Sequence, residues 1–115
     1  MSDNQFAIDI TVPQSQLNDW VMLIKGLCEG QLGAYLEERL EAFNPKALEL
    51  MDNVLDDWLA YSHPQFFDFE QQGNRLRCQA EGPTGFHRDL AVFKKFLELC
   101  GATVNVQDNT LLDYL

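Results

Sequence analysis

The sequence is poor in the residues that build metal centres, disulfide frameworks and phosphate sites. Its three cysteines, Cys28, Cys78 and Cys100, are odd in number, widely separated and never in a CxxC pair. That pattern argues against a disulfide framework and against a zinc site. Each falls at an apolar position of its predicted element, so all three read as small buried hydrophobes suited to a reducing compartment. The two histidines, His63 and His87, have no Cys or His at ligand spacing. A His/Cys or His/Asp arrangement with Cys78 or Asp89 would need spatial neighbours that spacing does not supply. Walker A, GxGxxG, GxSxG and HExxH patterns do not occur. No catalytic residue, metal or cofactor is assigned.

Positive charge is scarce as well. Eight Lys and Arg face 18 Asp and Glu, a formal net charge of −10. Such a chain repels phosphate backbones and anionic lipid, so neither nucleic acid nor membrane is expected as a partner. A basic protein would be attracted; plain solubility is the simpler reading. No stretch reaches the roughly 18 apolar residues of a membrane span. Met1 to Gln5 lack the basic and apolar regions of a signal peptide, and the expected location is cytoplasmic.

The residues present suit one folded domain over 1–115. Hydrophobic residues make up 46%, enough to set disorder aside, and eight Phe, three Tyr and two Trp supply bulky core material. Phe6, Ile8, Ile10 and Val12 alternate with Ala7, Asp9 and Thr11, a half-buried strand ended by Pro13. Leu17, Trp20, Val21, Ile24, Leu27 and Cys28 follow helical spacing; Leu32, Tyr35, Leu36, Leu40 and Phe43 continue it. Gly26, Gly30 and Gly33 fall together opposite that stripe, and a break near Gly30 to Gly33 is favoured, giving two helices.

Asn44-Pro45 reads as an N-cap and first helical residue, with Phe43 and Leu48 at staple positions. That helix carries Leu48, Met51, Val54, Leu55, Trp58 and Leu59 and ends before Pro64. Phe66 to Glu70, with Phe67 and Phe69 on one face, pairs across Gln72-Gly73-Asn74 with Arg75 to Ala80 as a hairpin. A further helix carries Phe86, Leu90, Phe93, Phe96, Leu97 and Cys100 and stops at Gly101. Thr103 to Gln107 is a strand, and Thr110 to Tyr114 a short last one. The fold class is α+β: three to four helices packed on one face of a small, mainly antiparallel sheet of three to five strands.

Charge is regional. Glu29 to Glu70 holds ten acids against two bases, and Arg75 to Lys95 five bases against two acids. Glu49, Asp52 and Asp56 recur at helical spacing on one face, with Asp57 beside them. Like charges so placed repel, and Lys or Arg on a partner would relieve that. Tyr61 and Phe66 do not fit the core stripes and would form an apolar patch beside the acids, the composition of interface hot spots. The expected partner-binding set is Glu49, Asp52, Asp56, Asp57, Tyr61 and Phe66.

A weaker candidate is an anion site at Gly82 to Arg88, where free N–H groups meet a helix start. Thr84 would cap the helix beside Gly85, His87 and Arg88 add donors, and Arg75 and Arg77 would contribute from the preceding strand; an ordinary capped helix is the simpler reading. Val92 to Val106, a helix closed by Gly101 before an apolar strand, is distantly similar to the end of the barstar-type inhibitors, a generic pattern that carries no residue over. The leading functional expectation is a protein-binding module: an immunity- or antitoxin-like inhibitor, or an adaptor, for a basic partner. A small anion- or nucleotide-binding protein or enzyme, and a homo-oligomeric (dimeric) structural protein, are the alternatives.

Overall fold

Phe6, Ile8 and Ile10 turn inward while Ala7, Asp9 and Thr11 turn outward, the period of two that a half-buried strand requires. They lie in β1 (Asn4–Thr11) of the computed structural model, which describes residues 4–31 and 33–110. A short 3-10 turn, Gln14–Gln16, leads into α1 (Leu17–Cys28) and then α2 (Ala34–Phe43). Ala47–Met51 is 3-10, Asp52–Asp57 is α3, and Trp58–Ser62 is a π turn. The hairpin of β2 (Gln65–Gln72) and β3 (Arg75–Gly82) follows, then α4 (Phe86–Leu99) and β4 (Thr103–Asp108). The expected strand from Thr110 to Tyr114 lies, beyond Thr110, outside the described residues.

The sheet order is β2-β3-β1-β4, and every neighbouring pair is antiparallel. β1 and β2 are therefore parallel with β3 between them, and β3 and β4 are parallel with β1 between them. Two such crossings, each through a helix, make the split β-α-β arrangement of ferredoxin-like topology. Residues 29–64, with α2 and α3, are inserted between α1 and β2. The helices cover one sheet face and share one continuous core with Phe6, Ile8, Ile10, Leu76, Cys78, Ala80 and Val104. The other face is polar.

The chain breaks after α1 as its glycines suggest: Gly30 takes a φ of 86°, where a side chain would be strained. Gly26, expected to face away from packing, is instead buried. A Cβ there would come within 2.7 Å of Gln31 Oε1, because the reversing chain folds back over it. The cap at Asn44 is present: its Oδ1 accepts from the Ala47 N–H at 3.1 Å. The segment it opens changes winding from 3-10 to α to π, and one consequence is that Leu59 is 50% exposed instead of joining the core. It ends at His63, whose left-handed φ of 44° lets the chain turn ahead of Pro64.

The expectation that Phe67 and Phe69 share a face is corrected. Phe67 pairs with Gln79 and Glu70 with Arg77, so an extra residue sits between them, and Asp68 has a φ of 56°. This bulge resets the alternation. Phe66 and Phe69 pack against the core, and Phe67 does not.

Candidate functional site

The inserted residues carry most of the exposed acid. Glu49, Asp52 and Asp56 are all exposed, and Asp57 is half-buried at the end of α3. Large apolar side chains are exposed on the same insertion: Tyr35, Leu50, Leu59 and Tyr61, the last 80% accessible. Tyr35 is stacked under the Arg39 guanidinium, 4.9 Å from its ring centroid. Leu59 lies against Gly33, which brings the π turn to the start of α2.

Phe66 does not belong to this surface, a correction to its grouping with Tyr61. It is 5% exposed and faces inward opposite Ala80. Its ring lies 5.4 Å from Trp58, 6.2 Å from Phe86 and 6.3 Å from Phe93. The strand begins at Gln65, and a period of two from there commits Phe66 to the core.

Beside this aromatic cluster lies a group of polar side chains that sequence spacing did not single out. Asp57 on α3 and Asp89 on α4 bring their carboxyls within hydrogen-bonding reach of each other. Ser62 on the π turn donates its hydroxyl to Asp57 Oδ2 at 2.5 Å. The Trp58 Nε1 is buried next to the Asp89 carboxyl, outside good hydrogen-bond geometry with any acceptor. Burial, and then the facing Asp57 carboxylate, push Asp89 up to about 7. Asp57 is held below its ordinary value by hydrogen bonds from Asp89 and then Ser62. One proton between two carboxyls joins the insertion to α4 near neutral pH. Asp57 and Asp89 are 32 positions apart, and no local pattern links them.

The anion candidate does not assemble. Arg75 and Arg77 lie on the open sheet face, where Asp9 takes both. Arg75 Nε donates to Asp9 Oδ1 at 2.8 Å, and this pairing holds the Asp9 carboxyl below its ordinary value. Gly82 lies at the far end of β3, seven residues or about 23 Å from Arg75 at strand spacing. There Asn4 Nδ2 donates to the Pro83 carbonyl at 3.4 Å, and Gly85 with a φ of 94° forms the N-cap. Thr84, expected as the cap, makes no side-chain capping bond; Thr84, His87 and Arg88 are exposed. His87 lies near the Asp108 carboxylate.

The open sheet face has a shallow depression of about 470 Å³ around Ala7, rimmed by Asp9, Asp68, Glu70, Arg77 and Gln79. Gln79 Nε2 donates to Asp68 at 3.2 Å, and Glu70 stands across the strand pair from Arg77. Among the described residues no group of three or more His, Cys, Asp or Glu is placed to hold a metal ion. None of their helices is long and apolar enough to cross a membrane. Comparison with protein-family profiles, curated proteins and solved structures finds no match to the chain.

Proposed function

We propose that this chain is a cytoplasmic protein-binding module, an immunity- or antitoxin-like inhibitor or an adaptor, whose helical insertion engages a basic protein. One observation carries the reading. The insertion presents exposed Glu49, Asp52 and Asp56 together with exposed Leu50, Leu59 and Tyr61. Apolar anchors within a charged surround are how an interface divides its work: the anchors supply affinity, and the charges supply encounter rate and selectivity. Like charges in one segment also repel until cations neutralise them. Asp57 contributes from the margin, since its carboxyl is already engaged by Ser62 and Asp89.

The test compares the native chain with a Glu49→Lys/Asp52→Lys/Asp56→Lys variant and with Tyr61→Ala, each immobilised and exposed to its own cell extract at low salt. The native chain is expected to retain one stoichiometric partner of basic isoelectric point. The triple variant is expected to bind it at least about tenfold more weakly, with a reduced dependence on salt. Tyr61→Ala should lose affinity without losing stability, because its ring is largely in water. Absence of a stoichiometric partner, or equal capture by the triple variant, would overturn the reading.

A further inference from the structure

The two edges of the sheet differ. β2, on one edge, is broken by the bulge at Asp68 and carries Asp68 and Glu70 there. A bulge and charges keep an edge from pairing with a further strand. β4, on the other edge, lacks the bulge. It runs in unbroken register with β1 from Thr103 to Asp108, contains no Lys, Pro or Gly, and carries its single charge, Asp108, at its end. We propose that this edge is an interaction surface for a second copy of the chain, whose β4 adds antiparallel to it about a two-fold axis at Asn105. The inference is independent of the protein-binding reading.

Hydrogen-bond alternation identifies the backbone groups on this edge. The Val12 N–H donates to the Asn74 carbonyl at 3.0 Å on the β3 side of β1. The Asn109 N–H donates to the Gln5 carbonyl at 2.8 Å on the β4 side. Bonded pairs alternate along an antiparallel ladder, so Ala7–Gln107, Asp9–Asn105 and Thr11–Thr103 are the bonded pairs between β1 and β4. Thr103, Asn105 and Gln107 therefore turn their backbone groups toward β1. Val104, Val106 and Asp108 turn theirs outward, and among the described residues no further strand meets them. Asn109 and Thr110 continue beside β1, both hydrogen-bonded to Gln5.

The occupant follows from what β4 presents. An edge with so little charge selects neither an acidic nor a basic segment. It fits an uncharged strand with valines on one face and amides on the other, which is β4 itself. With the axis at Asn105, each Val104 exchanges both backbone bonds with Val106 of the second copy. Val106 gains apolar cover there: it faces the helices from opposite Ile8 but is only partly buried, whereas Val104 is 3% exposed. The two Asn105 residues form a non-hydrogen-bonded pair, where side chains approach most closely, and their amides meet on the open sheet face. Thr103 stands across from Gln107. The two Asp108 carboxylates fall about 20 Å apart along the strands, so they do not oppose each other. Pairing of β4 with β2 of another copy would propagate into a filament, and the bulge blocks it; the contact closes as a dimer. One added strand pair is a small contact, and the dimer is weak and reversible.

The test is sedimentation of the full chain from about 10 μM to about 1 mM, the range in which a weak contact is read. A monomer–dimer equilibrium is expected. It should tighten as salt is raised, because two chains of net charge −10 repel each other. Val106→Pro removes an N–H that β1 does not use and should weaken the dimer at least about tenfold while the monomer stays folded. Asn105→Cys, at an exposed position of the open face, does not depend on proline being tolerated. On oxidation it should give a covalent dimer. Thr103→Cys should not, since its two copies lie about 14 Å apart along the strands. A native chain that is monomeric at the highest concentration, a dimer unaffected by Val106→Pro, or equal cross-linking from positions 103 and 105 would overturn the proposal. So would loss of the dimer in Tyr61→Ala but not in Val106→Pro, which would assign the contact to the insertion. A chain that dimerises through β4 and captures no basic partner would sink only the protein-binding reading.

Discussion

Replacing Trp58 with alanine is expected to destabilise the fold by about 3–5 kcal/mol, the range for removing a large aromatic side chain from a packed core. Trp58 is fully buried. Its ring centroid lies 5.4 Å from Phe66, 6.1 Å from Phe86 and 5.5 Å from Phe93. Those three rings come from β2 and α4, whereas Trp58 comes from the insertion. The cavity would therefore open at the seam where the insertion joins the sheet and its covering helix. Domains of this kind are held by about 5–15 kcal/mol, so the variant should be marginal. The check is the midpoint of urea unfolding at unchanged slope. A loss below about 1 kcal/mol would mean that the ring is not packed as described. Trp58→Phe separates the two parts of the side chain. It keeps most of the ring and removes a buried N–H that lacks a good acceptor, so the packing loss is partly offset. It should cost much less than the alanine.

The insertion has a second anchor, which shows why one seam matters more. Trp20 on α1 meets Phe43 at the end of α2, with centroids 4.5 Å apart, and its Nε1 donates to Gln16 at 3.3 Å. Phe43 is only partly buried. Trp58 is enclosed by rings from two elements and is the larger contributor. A protein that binds through its insertion needs that segment held in one place, since disorder there would have to be lost on association. Trp58→Ala should then weaken partner capture even where the chain remains folded.

The elements with strong periodicity were legible in the sequence for a direct physical reason. Phe6 to Val12 alternates because one sheet face is wet, and Phe86 to Leu97 repeats at helical spacing because α4 buries one face. Asn44 could be read as a cap because the hydrogen bond is local. What could not be read depends on events that break a period. The bulge at Asp68 inserts one residue and puts Phe67 and Phe69 on opposite faces. The succession of 3-10, α and π winding in residues 47–62 leaves Leu59 in water while Trp58 stays inside. Tyr61 was legible as exposed because it fits no stripe, and Phe66 was misplaced because unbroken alternation that put Phe67 and Phe69 on one face left Phe66 on the other. Pairings between distant elements, such as Asp57 with Asp89, have no local signature. They require strand order and register, which alternation alone does not specify.

Stability should fall as pH rises from about 4 to about 7, and Asp89→Asn should remove most of that fall. Asp89 titrates at about 7 in the fold against 3.8 in the unfolded chain. The folded state thus binds this proton more tightly. The corresponding stabilisation is complete below the unfolded value and is lost as pH rises through the folded one. Asp57 behaves in the opposite sense: its folded value is lowered, so its contribution is present above 3.8 and disappears as pH falls through that lower value. Between the two, Asp89 governs the slope. An amide at position 89 keeps the shape of the carboxyl, can donate to Asp57 and carries no charge to desolvate. The variant should be more stable than the native chain above pH 7, on the order of 1–2 kcal/mol after allowance for solvent screening. Thermal melts at pH 5, 6, 7 and 8 provide the measurement. Asp57→Asn supplies the internal comparison, because burial is the first cause of the Asp89 rise and the Asp57 charge comes later. It should flatten the profile less than Asp89→Asn does. Equal flattening by both variants would place the cause in mutual repulsion and not in burial, and an unchanged slope in Asp89→Asn would remove the shared proton from the account of how the insertion is held against α4.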